Sequence, residues 1–456
     1  MSKLLQKYNI PVPRYTSYPP ANFFTEDFTA TDYEQAVRES NHWKPDNISF
    51  YFHVPFCNQL CYFCGCNSYA MRNDETVDAY MKAMLRELEM VIERLDKTRK
   101  VSQIHYGGGT PNAVAPKYLK QLNDLIAQNL TFIDEPEIAI ECNPAYLSEQ
   151  QIEELKDAGF NRFSLGVQDY DKEVLRTVNR EEPFMPLDEI VAQIRKGNKK
   201  IKVNLDFIYG LPKQTAESFA KSIEKAAALK SDRLVTFSYA HVPWVSKIQK
   251  KLEPYGLPEN EEKVKMNQAA LKILSANGYK VIGMDHYALN DDELSIAREN
   301  HELHRNFQGY CTRRTTGQVY AIGVTGISQL DRVYTQNTKS INQYIELINK
   351  NEFTTIKGYK LSHEQTLIRE TITQLMCNHR IDWGDLSAKI GLNIDEIKSA
   401  LANKPEKLAE LEEDGIITTT DGSLQVTEEG SLFIRNVAAA FDPLIGTKGK
   451  NFSKPV

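Results

Sequence analysis

Four of the seven cysteines fall between positions 57 and 66, inside the run HVPFCNQLCYFCGCN (53–67). Cys57, Cys61 and Cys64 are spaced C-x3-C-x2-C, directly after the apolar run ISFYFHV (48–54), which reads as a strand. Thiolates crowded in this way suit an iron–sulfur cluster or zinc. A structural zinc site takes four ligands, often as two separated cysteine pairs. No second pair follows here. Three cysteines on one loop can each hold one iron of a [4Fe–4S] cluster and leave the fourth iron open to a small molecule. As ordinary buried thiols they would only behave as small apolar side chains, and their crowding speaks against that. Cys66 remains open as a fourth ligand, a group beside the ligands or a thiol near the site. Cys142, Cys311 and Cys377 read as unpaired thiols.

Elements that must position such a loop are visible downstream. Apolar runs at 48–54, 102–106, 137–142, 162–167, 202–210, 233–240 and 279–284 read as strands. Helical patterns lie between them near 74–98, 115–129, 147–158, 187–198, 214–229 and 258–277. This alternation predicts an α/β fold with parallel strands and crossover helices. A doubly wound sheet and a full or partial barrel both satisfy it. Polar groups gather at or just beyond strand ends: the Gly107-Gly108-Gly109-Thr110-Pro111 loop, Glu141, Gln168, Asp206 and Tyr239–Pro243, with Arg180 in the next helical region. In α/β barrels the site collects at that end. Glycines there allow close backbone approach and expose N–H groups to an anion.

Residues 1–45 read as an irregular arm, since Pro11, Pro13, Pro19 and Pro20 discourage helix. Three helical stretches (362–378, 384–391 and 394–413) precede a hairpin at 415–430 turning at Asp421-Gly422, which predicts a winged-helix-like cap. The organisation expected is an arm over 1–45, a catalytic barrel with an extension over 46–355 and a C-terminal domain over 360–456. The formal net charge of -6, with the acidic run 406–415, gives no broad claim on nucleic acid or anionic lipid. No run suits a signal peptide or a membrane span. A cytoplasmic monomer, with no nucleic-acid or membrane partner, is expected.

The pattern C-x3-C-x-F-C after a strand resembles the radical S-adenosylmethionine (SAM) superfamily. There the open iron chelates SAM, and the reduced cluster cleaves it to a 5′-deoxyadenosyl radical. The segments PRYTSYP (13–19), HYGGGTP (105–111), FNRFSLGVQDYDKEV (160–174), VNRE (178–181), IYGLPKQT (208–215), IGMDHYA (282–288) and HRNFQGY (304–310) narrow the resemblance. Together with the cysteine run they are similar to the oxygen-independent coproporphyrinogen III oxidases. That resemblance implies a partial (β/α)6 barrel with a C-terminal, mostly helical domain. It implies a [4Fe–4S] cluster on Cys57, Cys61 and Cys64, with Cys66 not a ligand, and two SAM molecules. Matching positions for cofactor contacts are Tyr51, Phe63, Gly108, Gly109, Thr110, Glu141, Gln168, Arg180, Asp206, Ala240 and Ile327.

The implied reaction converts two propionates of coproporphyrinogen III to vinyl groups. A hydrogen leaves the β-carbon of each propionate, and the substrate radical then loses an electron and CO2. A low-potential electron donor is implied as partner. The catalytic candidates are Tyr51, Arg14, Arg305 and Gln308, with the two guanidiniums as carboxylate clamps and the arm as a lid. The run CTRRTTGQV (311–319), with Cys311, Arg313 and Arg314, departs from the family pattern. A heme-binding chaperone of the superfamily and an enzyme acting on another tetrapyrrole stand as the alternatives.

Overall fold

The computed structural model describes residues 2–71, 73–402, 404–446 and 452–453. Six strands lie side by side in sequence order, each parallel to the last: β1 (Ile48–Val54), β2 (Lys100–Gly108), β3 (Thr131–Cys142), β4 (Arg162–Gln168), β5 (Lys202–Tyr209) and β6 (Arg233–Ser238). Helices Asp74–Ile92, Pro116–Asn129, Glu149–Asp157, Leu187–Arg195 and Ala216–Ala228 make the crossovers, and Asn260–Ala276 follows β6. This is the partial (β/α)6 barrel that the motifs implied.

Alternation along the strands explains how the barrel is filled. On β1, Ile48, Phe50, Phe52 and Val54 are fully buried in the helix-facing core. Ser49, Tyr51 and His53 point the other way and pair in register with Gln103, His105 and Gly107 of β2. The same inward row continues through Glu137 and Glu141, Arg162 and Ser164, Asn204 and Asp206, and Arg233. The lumen is therefore polar. Its lower half is sealed by charge: Gln103 donates to Glu137 at 2.7 Å, Arg162 pairs with Glu137, and Arg233 reaches Asp292 at 2.8 Å and Glu293 at 3.0 Å.

Both edges of the sheet differ from the sequence reading. The run at 279–284 is no further parallel strand. Tyr279–Gly283 pairs antiparallel with His286–Leu289, which pairs antiparallel with β6. Beyond β1, Gln318–Ile322 adds one more parallel strand, and Ile327–Gln329, Val333–Asn337 and Thr355–Lys360 extend it antiparallel. These strands are short, and Ile327–Gln329 and Val333–Asn337 are polar as well, so they carry little period-2 signal.

The arm is not irregular throughout. Helix Ala30–Glu39 starts at a capping box formed by Thr29 and Asp32 and buries Tyr33, Ala36 and Val37 in the barrel core. A short helix also spans Ser2–Tyr8. The prolines exclude helix only around 11–20. The tail expected as one helix over 394–413 is two, Ile394–Leu401 and Pro405–Glu413, because Pro405 is tolerated only in a first turn. The hairpin Ile417–Thr419/Ser423–Val426 is present, and Arg380–Asp382 adds a third strand to it. Tyr8, Val12, Tyr15 and Tyr18 of the arm share the apolar core of this tail domain. Among the described residues, no helix is long and apolar enough to cross a membrane.

Candidate active site

The cysteine loop leaves the upper end of β1 and is held on two sides. Gly109 donates its N–H to Val54 O and Thr110 to Phe56 O, both at 2.8 Å. A Cβ on Gly109 would stand 2.6 Å from the carbonyl carbon of Pro55, and one on Gly108 (φ +111°) 2.7 Å from the His53 ring. The glycines thus seat the loop against the chain itself. Their sequence reading, as N–H groups offered to a ligand, does not hold for Gly109, whose N–H is already used. From the other side, Tyr62 N–H donates to Val178 O at 2.9 Å and Asn179 donates to Leu60 O at 2.8 Å.

Each of the three motif sulfurs accepts a hydrogen bond. Thr110 Oγ1 lies 3.4 Å from Cys57 Sγ, Arg180 Nη1 lies 3.7 Å from Cys61 Sγ, and the Cys66 N–H lies 3.4 Å from Cys64 Sγ. Such donors suit thiolates that bind metal. The Cys66 side chain also hydrogen-bonds to Cys64, and this is the main reason the Cys64 thiol is lowered to about 6. Cys66 is exposed and serves Cys64 as a donor. Burial pushes the Cys57 and Cys61 thiols up. Among the described residues, no three His, Cys, Asp or Glu side chains close around a single-ion position.

Beside the loop opens a cavity of about 130 Å³, lined by Gly109, Thr110, Glu141, Gln168, Arg180 and Asp206, among others. The structure thus brings six sequence candidates to one hollow. Glu141 accepts from His105 Nε2 at 3.0 Å, and the His105 ring stacks on Tyr51 at 6.0 Å between centroids. Asp206 accepts from Ser164 at 2.7 Å and Asn204 at 2.8 Å. A register shift gives Gln168 a φ of +70° at the end of β4. Arg180 donates to Gly166 O, and its Nε is buried with no partner. An acid, a guanidinium and an amide around a small hollow suit the amino, carboxylate and hydroxyl groups of SAM, and the unpartnered Nε favours a ligand there.

Burial pushes the Asp206 carboxyl up to about 6, against the hydrogen bonds from Ser164 and Asn204. A raised carboxyl favours the fold only while protonated. Its contribution is full below its ordinary value near 3.8 and is lost as pH rises through 6. Asp206→Asn should therefore unfold at a higher temperature than the parent at pH 8, by the equivalent of roughly 1–2 kcal/mol. The two melting curves should converge near pH 4.

The other candidates lie elsewhere. Tyr51 Oη meets His53 Nδ1 at 3.1 Å inside the barrel. Phe63 packs against the cluster of Val178, Leu211 and Tyr239, and the Ala240 carbonyl accepts from Gln249 at 3.3 Å. Ile327 packs with Phe307 and Tyr334, beside the hairpin whose turn carries Gln308. Arg14 is paired with Asp285, and Arg305 donates to Arg14 O at 3.3 Å and lies over the Tyr310 ring. Arg14 is thus held in an ion pair, whereas Arg305 meets a backbone carbonyl and keeps a buried Nε without a partner. Arg305 also lines a separate cleft of about 1050 Å³ between the arm, the sheet extension and the tail domain. Sequence reading missed His105, Ser164, Asn204 and Asp285. Their signal was the polar alternation along β2, β4 and β5, and a carboxylate inside IGMDHYA for Asp285.

Residues 51–226 match the radical SAM superfamily and residues 361–433 the HemN C-terminal domain. Over 100% of the chain and 98% of the relative, it is 39% identical to the oxygen-independent coproporphyrinogen III oxidase of Synechocystis sp.. The chain belongs to the oxygen-independent coproporphyrinogen III oxidase family. Identity to the Escherichia coli member is 38%, over 98% of this chain and 96% of that one. The solved structure of E. coli coproporphyrinogen III oxidase (HemN), described as a radical SAM enzyme, superposes with a TM-score of 0.88. It shares 37% identity and covers 95% of this chain and 98% of its own. As in the rest of this oxidase family, the cofactors are a [4Fe–4S] cluster and SAM, and the chain is a radical SAM oxidoreductase of heme biosynthesis.

Proposed function

We propose that this chain decarboxylates two propionates of coproporphyrinogen III to vinyl groups, giving protoporphyrinogen IX. The observation that carries the reading is the juxtaposition of three sulfurs, each accepting a hydrogen bond, with the cavity of Glu141, Gln168, Arg180 and Asp206. When bound, the cluster and SAM supply a 5′-deoxyadenosyl radical. The residues hold the metal and the SAM beside the barrel mouth. Glu141 and Arg180 offer opposite charges to an amino acid moiety, and Asp206 offers a carboxylate to the ribose hydroxyls. Tyr51, Phe63, Ala240, Gln308 and Ile327 complete the cofactor and substrate walls. Two SAM molecules belong to this reading, with Ile327 among the cofactor contacts and Gln308 among the catalytic residues.

Per propionate, the substrate gives up one hydrogen atom, one electron and CO2, and a C=C bond forms. Arg14 and Arg305 supply positive charge toward the substrate carboxylates. The arm over 1–45 acts as a lid that keeps water from the radical. Contacts that fasten it include Arg14 on Asp285, Tyr15 on Asp442 at 2.9 Å, and Arg435 of the tail domain on Pro13 O at 3.0 Å. The chain is read as a cytoplasmic monomer. The test is an anaerobic assay with coproporphyrinogen III, SAM and reductant, followed by mass analysis. Loss of two carboxyl groups with 5′-deoxyadenosine formed is expected. SAM cleavage without decarboxylation would move the substrate to another tetrapyrrole.

A further inference from the structure

Residues 244–251 lie against the outer side of the cysteine loop and are pinned to it. Ser246 donates to Cys64 O at 2.8 Å, Gln249 donates to Phe63 O at 2.8 Å, and the Lys251 ammonium sits 4.6 Å from the centre of the Tyr62 ring. Gln249 is 1% exposed and also accepts from Val242 N–H at 2.6 Å, so the segment is rigidly seated. Outward it presents Trp244, 60% exposed, and Val245, 65% exposed. Lys247, Lys250 and Lys251 flank them at the surface.

A single exposed apolar residue is ordinary, but a Trp and a Val together beside a row of lysines form a patch of the kind that binds a protein. Its charge is also unusual for this chain. Residues 244–255 hold three lysines against one glutamate, whereas the whole chain carries -6. The location narrows the partner further. Cys57 and Cys61 are buried, while Gly65 and Cys66 at the far end of the loop are exposed. Electrons from outside reach the loop most directly at that end, and the patch borders it.

The geometry points to the Trp244–Lys251 segment as the docking face for an acidic protein that carries a single low-potential electron. This rests on the radical SAM reading, which requires one electron per SAM cleaved. In the docked pair the carrier is oxidised by one electron and the cluster is reduced by one, with no atom transferred. The lysines steer the acidic carrier and the Trp anchors it.

A flavodoxin serves as the acidic probe, with dithionite as a small reductant that needs no docking face. Binding of oxidised flavodoxin to the cluster-loaded protein should weaken about tenfold in Trp244→Ala. In Lys247→Glu/Lys250→Glu it should weaken at least as much, and the fall of affinity with added salt should flatten. Turnover driven by reduced flavodoxin should drop in parallel. Turnover driven by dithionite, and the visible spectrum of the cluster, should match the parent. Unchanged flavodoxin affinity and turnover in both variants would overturn the docking face. An equal loss with dithionite would also overturn it, since the patch would then serve the substrate. Absence of dithionite-driven turnover in the parent would sink the decarboxylase reading instead, and the binding measurement would still decide the docking face.

Discussion

Cys57→Ala should abolish porphyrin decarboxylation and leave a chain that holds no stable [4Fe–4S] cluster after reconstitution. The argument is geometric. Cys57 lies three residues beyond β1, on the two-residue strand Phe56–Cys57 that pairs with Tyr69–Ala70, and Thr110 donates to its sulfur. A methyl group there supplies no thiolate, and two remaining sulfurs cannot hold three irons. Cys66 does not replace it, because it is exposed and engaged with Cys64. Iron and sulfide analysis together with the brown absorbance give the check. The fold should survive, because the barrel core does not include this side chain. A Cys57→Ala protein with full iron content and undiminished turnover would break the ligand assignment. Cys66→Ala, in contrast, should still take up cluster.

Arg233→Met should cost about 3–5 kcal/mol of stability at pH 7, the usual penalty for removing one partner of a buried ion network. Arg233 is 5% exposed. It bonds Asp292, which is buried, and faces Glu137 and Glu293. Methionine fills a similar volume but leaves the buried Asp292 without its cation, whereas Glu137 keeps Arg162 and Glu293 keeps Arg314. Among the described residues, the Asp292 side chain would keep only its cap on the Leu294 N–H at 2.9 Å. The pH dependence follows from Glu137. Burial works to raise its carboxyl, but Arg162 and Arg233 outweigh this and hold it down to about 2. A depressed carboxyl adds stability above its ordinary value near 4.5, and that stability is lost as pH falls through 2. The deficit of the variant should therefore shrink between pH 4.5 and pH 2. Urea unfolding across that range is the measurement, and a deficit independent of pH would exclude Glu137 as the source.

What could be read from the sequence follows the local physics. The six barrel strands were legible because each is an apolar run bounded by turn residues and followed by a helix of ordinary length. The cysteine loop was legible because four thiols crowded directly after a strand point to metal chemistry. The sheet extension was not, since ISQ (327–329) and VYTQN (333–337) are too short and polar to show a period. The partners of the site residues were also out of reach. His105 and Glu141 stand on neighbouring strands 36 positions apart, and Arg14 meets Asp285 across 271. Only the strand order and the docking of the arm create those pairs. Where the sequence did carry a missed signal was in KVNLDF (202–207) and RFSLG (162–166). Polar residues at every second position of an otherwise apolar strand mean that both faces are covered and one of them is a polar lumen.

The most direct test of the central claim follows one hydrogen atom. Coproporphyrinogen III deuterated at the β-carbons of its propionates would be turned over anaerobically with SAM and a reductant. The account predicts protoporphyrinogen IX, with one deuterium in each molecule of 5′-deoxyadenosine formed. Unlabelled 5′-deoxyadenosine, or a porphyrin that keeps all four carboxyl groups, would contradict it.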